Sequence, residues 1–253
     1  MKRSLRYYGV VAAFFFVGSA VQGYAQDARS IVENSFTYVR GKTSMAVVDM
    51  TIYRPEWQRT MTIKGWTRGQ EDSIFRIVAP AKDAGNGTLK RKREMWMYNP
   101  KVNRVIKLPP SMMSQAWMGS DFSNNDLAKS DSLVTDYTHE IIGIETHEGK
   151  KVYVIRSTPT PDAPVVWGMQ KLKIRDDDIF IEQEFYDEDL KPVKKLTTTH
   201  IQMLGGKLFP KTWIMQKSDV EDEYTLVEYR EIAFDITLPS RLFTTSSLRT
   251  PPR

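Results

Sequence analysis

Residues 44–66 read SMAVVDMTIYRPEWQRTMTIKGW. Ala46, Val48, Met50 and Ile52 recur at every second position, and Met61 and Ile63 resume that period after Pro55 and Glu56. An extended chain turns successive side chains to opposite faces. The stretch therefore predicts two antiparallel strands, joined by a tight turn, that present one apolar face.

Before Gly41 the period is helical. Ile31, Val32, Ser35, Phe36 and Val39 lie on one face behind a cap at Asp27 or Ser30, which predicts an amphipathic helix of about three turns. After Gly69 short strand-like runs follow: SIFRIVA, EMWMYN, NRVIKL, THEIIGIE, KVYVIRS, MQKLKIRD, IFIEQEFYD, VKKLTTTHIQ, LFPKTWIMQK and EYTLVEYREIAF. Turn signals such as NPKVN, HEGKK and GGK stand between many of them. No helix-period segment separates the runs, which disfavours a parallel α/β sheet and leaves an antiparallel meander. The chain ends in a polar, proline-terminated stretch, TTSSLRTPPR.

The first residues, MKRSLRYYGVVAAFFFVGSAVQGYAQDA, place Lys2, Arg3 and Arg6 before an apolar run and a small-residue Gly23-Tyr24-Ala25 pattern. This predicts a secretory signal peptide over residues 1–25 with cleavage after Ala25, since the apolar part is shorter than the roughly 20 residues that span a bilayer. Residues 26–253 then form a single domain, expected to be soluble in the periplasm and monomeric. Without cysteine the chain can carry neither a disulfide framework nor a thioether-linked lipid. Cleavage removes three of the 36 basic residues and none of the 31 acidic ones, leaving a formal charge of +2. That near-neutral balance, without basic stripes, argues against a nucleic-acid partner, and KRKRE at 90–94 reads as a solvated hairpin end.

Several strands carry large side chains on both faces. Met95 and Met97 oppose Trp96 and Tyr98; Ile179, Ile181 and Phe185 oppose Phe180 and Tyr186. Five of the eleven methionines beyond residue 25 lie between Met95 and Met118, and methionine is over-used where a surface accepts varied apolar partners. In PPSMMSQAWMGSDF, residues 109–122, the prolines stop a strand and Ser111 is a candidate cap. Met112, Met113, Ala116 and Trp117 would share one face of a two-turn helix ended by Gly119. So short a helix needs an apolar surface to dock on, either as a lid over a cavity or as a plug of the core.

The series FRIVAPAKDAGNGTLKRKREMWMYNPKVNRVIKLPPSMMSQAWMGSDFSNNDLA resembles the LolA-like outer-membrane lipoprotein-sorting family, especially an uncharacterised branch of the LolA/LolB superfamily. The matching positions are Pro80, Gly87, Thr88, Leu89, Trp96, Tyr98, Pro100 and Gly119 to Phe122. IRDDDIFIEQEFYDEDLKPVKK also looks like that branch, with Leu190 where a glycine is expected. The resemblance implies a mainly β fold: a curved antiparallel half-barrel covered by an N-terminal helix and a short helical lid. It implies a carrier or chaperone for the acyl chains of lipoproteins or lipids, held by Met95, Met97, Met112, Met113, Trp117, Met118 and Phe122. At about 0.8 kcal/mol per CH₂, one buried chain is worth on the order of 10 kcal/mol. The competing reading is an envelope protein-binding factor, accessory to an inner-membrane exporter of the resistance-nodulation-division (RND) type.

Enzymatic constellations are missing. Asp121 with Asp126, and the run Asp176-Asp177-Asp178, read as caps and solvated turns rather than paired carboxylates. His139, His147 and His200 show no metal-ligand spacing, and Ser120 lacks a nucleophile elbow. The expectation is no catalytic residue, no metal and no cofactor.

Overall fold

In the computed structural model the described residues are 20–250, so the predicted leader falls largely outside them. Helix α1 (Ala20–Arg40) leads into β1 (Thr43–Arg54), β2 (Trp57–Arg68), β3 (Asp72–Ala79), β4 (Gly87–Arg91), β5 (Glu94–Asn99) and β6 (Arg104–Lys107). A connection containing α2 (Asn124–Ala128) and α3 (Ser132–Thr135) follows. Then come β7 (Tyr137–His147), β8 (Lys150–Pro159), β9 (Met169–Arg175), β10 (Phe180–Tyr186), β11 (Pro192–Leu204), β12 (Lys207–Lys217), β13 (Tyr224–Phe234) and α4 (Thr245–Arg249). No helix among the described residues is long and apolar enough to cross a membrane.

All thirteen strands form one antiparallel sheet ordered β6-β5-β4-β3-β2-β1-β13-β12-β11-β10-β9-β8-β7. The Pro55-Glu56 turn registers Arg54 against Trp57, as the sequence predicts, and each later strand pairs with its predecessor except β7. The exception and the pairing of β1 with β13 are one fact. Two meanders run outward from a central seam, so β6 and β7, consecutive in the chain, become opposite edges. Residues 108–136 must therefore cross the sheet as a strap.

The strap touches each part of the curved sheet in turn. Met112 and Met113 pack with Met95 and Met97 of β5; Trp117 sits among Met50, Ile52, Met61, Ile63 and Ile77 of β1 to β3. Phe122 meets Phe185, Leu196 and Met215 of β10 to β12, and Leu133 and Val134 pack with Ile155, Leu172, Val32 and Ala28. A flat sheet would hold its edges roughly 60 Å apart at about 4.8 Å per strand, so these contacts require a curled, open half-barrel. Helix α1 lies over β7 and β9 and against α3.

The strap departs from the predicted two-turn helix. It contains single 3₁₀ turns at Pro110–Met112 and Trp117–Gly119, with Pro109 rather than Ser111 at the first cap. Met118 and Gly119 take left-handed backbone (φ 54° and 79°), and the Trp117 amide donates to Phe122 O at 2.7 Å, which closes a tight loop instead of a helix. The first true helix of the strap, α2, starts at Ser123, whose hydroxyl accepts from the Asp126 amide while the Asp126 carboxylate accepts from the Ser123 amide.

Three carboxylates of the strap pair with cations of the sheet: Asp126 is a cap as expected, but neither it nor Asp121 is solvated. Asp121 is gripped by Arg54 of β1 at 3.0 and 3.2 Å and accepts from the Thr225 hydroxyl of β13 at 2.6 Å. Asp126 pairs with Lys194 of β11. Asp131 pairs at 2.8 Å with Lys90 of β4, a residue assigned from sequence to a solvated hairpin end but 1% exposed. These carboxylates recur every five residues and reach both halves of the sheet.

Other local readings also shift. A bulge between Phe180 and Glu182 turns Phe180 to the same face as Phe185, which strict alternation had separated. Leu190, in place of glycine, takes the left-handed conformation itself (φ 58°) and keeps the turn. The terminal stretch read as polar folds into α4, whose Leu248 is buried with Ile74, Leu89 and Phe243 on the outer face.

Because removing one member strands a buried charge, Lys90→Met should lower unfolding free energy by about 3 kcal/mol in urea titrations, and adding Asp131→Leu should recover most of the loss. A second test concerns His139 under α1, whose pKa burial, then the nearby Arg29, pushes down to about 4. The unfolded chain binds this proton first, so stability should fall as pH drops from about 6.5 towards 4. His139→Asn, which can still pair with the Ser157 hydroxyl 2.9 Å away, should flatten that part of the stability profile in thermal melts.

Candidate functional site

Between the inner face of the sheet, α1 and the strap lies a cavity of about 370 Å³. Its walls follow from the two periods seen in the sequence. From α1 come Val32, Ser35, Phe36, Val39 and Arg40, a single helical face; from β1 come Ser44, Ala46, Val48 and Met50, every second residue. Ile63, Gly65 and Thr67 of β2 and Ser73 and Phe75 of β3 continue the wall. Gly65 has a steric reason: a Cβ there would stand 2.9 Å from the Phe75 ring, which lies across it. The opposite wall is aromatic. Phe180 and Trp213 stack at 6.1 Å between ring centres, and Trp167 tilts against Phe185 at 5.2 Å.

The strap forms the roof through Trp117, Phe122 and Leu127. Trp117 is held rigidly: its Nε1 donates to the Thr88 hydroxyl at 3.0 Å and its ring meets Phe75 edge-on at 5.7 Å. The Ser120 hydroxyl donates to Trp117 O at 2.7 Å, which explains that serine as a loop brace. Thr88 and the Gly119–Phe122 segment, two of the motif pieces legible in the sequence, thus meet across this one anchor.

Of the seven residues expected to contact cargo, the structure puts Trp117 and Phe122 on the cavity wall. Met118 packs beside Trp117, outside the lining. Met95, Met97, Met112 and Met113 gather instead with Leu108 and Ala128 in a filled cluster between β5 and the strap. Sequence reading did not single out Phe75, Trp213, Met215, Val227 and Tyr229, which also line the cavity. The period-two pattern marked β1 and β2; no local signal told which face of β12 and β13 turns inward.

Polar groups line the cavity both at the strap, through Asn125, Asp126 and Lys129, and near the C-terminal end of α1. Arg40 donates to Gly69 O at 3.2 Å, Asp72 O at 3.4 Å and the Ser73 hydroxyl at 3.0 Å, and stacks 5.6 Å from the Phe36 ring centre. Desolvation lowers its pKa and raises that of Tyr229. Elsewhere, Tyr137 donates to Trp167 O at 3.1 Å and burial raises its pKa to about 12. No group of three or more His, Asp or Glu side chains converges among the described residues. His139 bonds Ser157, His200 lies near Gln202, and His147 sits beside Glu148 in a turn, so the histidines stay apart.

The fold matches solved structures of similar length. A DUF1329 family protein from Desulfovibrio piger aligns with TM-score 0.79 and 21% identity over 89% of this chain and 99% of that one. A LolA superfamily protein from Nitrosomonas europaea gives 0.71 and 22% over 87% and 98%. A structure described as an outer membrane lipoprotein-sorting protein domain, from Vibrio parahaemolyticus, gives 0.74 and 20% over 89% and 99%. No curated protein matches significantly. The half-barrel, its helical cover and the strap therefore have the LolA-like fold, and residues 69–250 match the model of a family described as "Uncharacterized protein", to which this chain belongs.

Proposed function

We propose that this protein is a periplasmic, non-enzymatic carrier that shelters an acyl chain of a lipoprotein or lipid between membranes. The observation that carries this reading is the cavity itself: about 370 Å³ walled mainly by aliphatic and aromatic side chains, within the roughly 300–1,000 Å³ of small-molecule sites. Interiors are normally packed to near-crystalline density, so a void this large under a pinned strap is a costly feature for a merely structural core. Each methylene moved from water into it contributes about 0.8 kcal/mol, a graded attraction that permits hand-over to a better acceptor. The LolA-like fold, shared with the Vibrio parahaemolyticus lipoprotein-sorting domain, favours the same class.

Mass spectrometry of material extracted from protein purified without detergent should reveal a stoichiometric long-chain compound. A titration with dodecanol, followed through tryptophan emission, tests the site directly because Trp117, Trp167 and Trp213 line it. Ala46→Phe, which adds a ring to the cavity wall, should weaken binding by about tenfold or more, the loss of a few methylene contacts. Ile144→Ser, at an exposed position of β7, should leave it unchanged. Equal binding by Ala46→Phe and the parent would place the chain elsewhere and end the carrier reading of this cavity.

A further inference from the structure

Resting on the carrier reading, the geometry points to a more specific ligand: an amphiphile whose oxyanion head is held by Arg40 at one end of the cavity while its chain runs along the apolar remainder. Three charged lining residues, Arg40, Asp126 and Lys129, set the contrast. Asp126 is paired with Lys194. Lys129, like Arg40, has only neutral acceptors, but it donates to Pro164 O at 2.7 Å in an exposed position. Arg40 donates to two backbone carbonyls and a serine hydroxyl, and its Nη1 keeps no partner among the described residues.

Lys90 behind it is already balanced, by Asp131 in contact and by Glu71 nearby. Arg40 is half-buried and has no carboxylate in contact among the described residues, an arrangement that an anion would complete.

Hydroxyls surround that charge. Strand register places Ser44 opposite Thr67, and Thr67 opposite Ser73, giving a row across the inner faces of β1, β2 and β3. Ser44 and Thr67 are 2.7 Å apart, and Ser73 accepts from Arg40. Facing the cavity from α1, Ser35 is 1% exposed and its hydroxyl has no partner among the described residues. An unsatisfied buried hydroxyl is a costly orphan, and here it lines the same cavity as Arg40, five residues along α1. A guanidinium fork with a spare donor and nearby hydroxyls suits a carboxylate or a phosphate, and a neutral head would leave the charge uncompensated.

The test compares three probes with the same twelve-carbon chain: dodecanoate, dodecyl phosphate and dodecanol, titrated by calorimetry into the full protein at neutral pH. At least one anion should bind about tenfold or more tightly than the alcohol, the usual worth of a charge-assisted hydrogen bond. Which anion wins separates a fatty-acid carboxylate from a lipid phosphate. In Arg40→Gln that preference should fall below about threefold while dodecanol affinity holds. Ser35→Ala, which leaves the Arg40 contacts intact, should weaken the favoured anion and spare the alcohol. Equal affinity of all three probes for the parent protein overturns the head-group assignment and leaves the carrier reading standing, without needing any variant to fold. An anion preference that survives Arg40→Gln also overturns it. If none of the probes binds, both readings fall.

Discussion

The hydrogen-bonded seam between β1 and β13 is the constraint from which the rest of the molecule follows. It joins the two ends of the strand series, with Met50 set against Val227 and Thr51 against Leu226, so the meanders unroll away from each other. Once that seam exists, the strands consecutive across residues 108–136 are the two free edges. The connection has nowhere to go except over the inner face, and the curled sheet has an apolar inner face that needs a cover. Strap, cavity and half-barrel are consequences of one pairing.

Covering is not the same as filling. The strap is held off the floor of the sheet by ion pairs at Asp121, Asp126 and Asp131 and by the anchored ring of Trp117, so the space beneath it persists. Buried ion pairs are poor sources of net stability, because desolvation consumes most of the Coulomb gain. Their value here is positional. A hydrophobic strap could slide to pack the cavity shut, whereas a charge displaced from its partner loses several kcal/mol. This gives a physical account of why a segment rich in methionine and tryptophan carries an acidic residue at every fifth position.

Much of the architecture was legible locally. Alternation identified twelve of the thirteen strands, and helical spacing identified the inner face of α1. The missed strand, β4, is five residues, GTLKR, in which glycine and two basic side chains hide the period. The β10 error has a similar origin: one inserted residue flips all that follows, and a bulge leaves no reliable trace in composition. For the strap, helical spacing of Met112, Met113 and Trp117 was a true apolar signal with the wrong geometry attached. A loop closed by the Trp117 amide and a left-handed Met118 shows those side chains to two different clusters.

The sequence alone determined the secondary-structure periods, the antiparallel order of neighbouring strands and the resemblance in fold, because each depends on residues close together in the chain. Tertiary structure decided which charges are buried and which side chains bound the cavity. Arg54 and Asp121 are 67 residues apart, Lys194 and Asp126 are 68 apart, and Lys90 and Asp131 are 41 apart. A lysine in KRKRE or an aspartate in a turn looks solvated until the β1–β13 seam brings its partner within 3 Å or so and excludes water. Burial is a property of the closed sheet, and no window of neighbouring residues contains it.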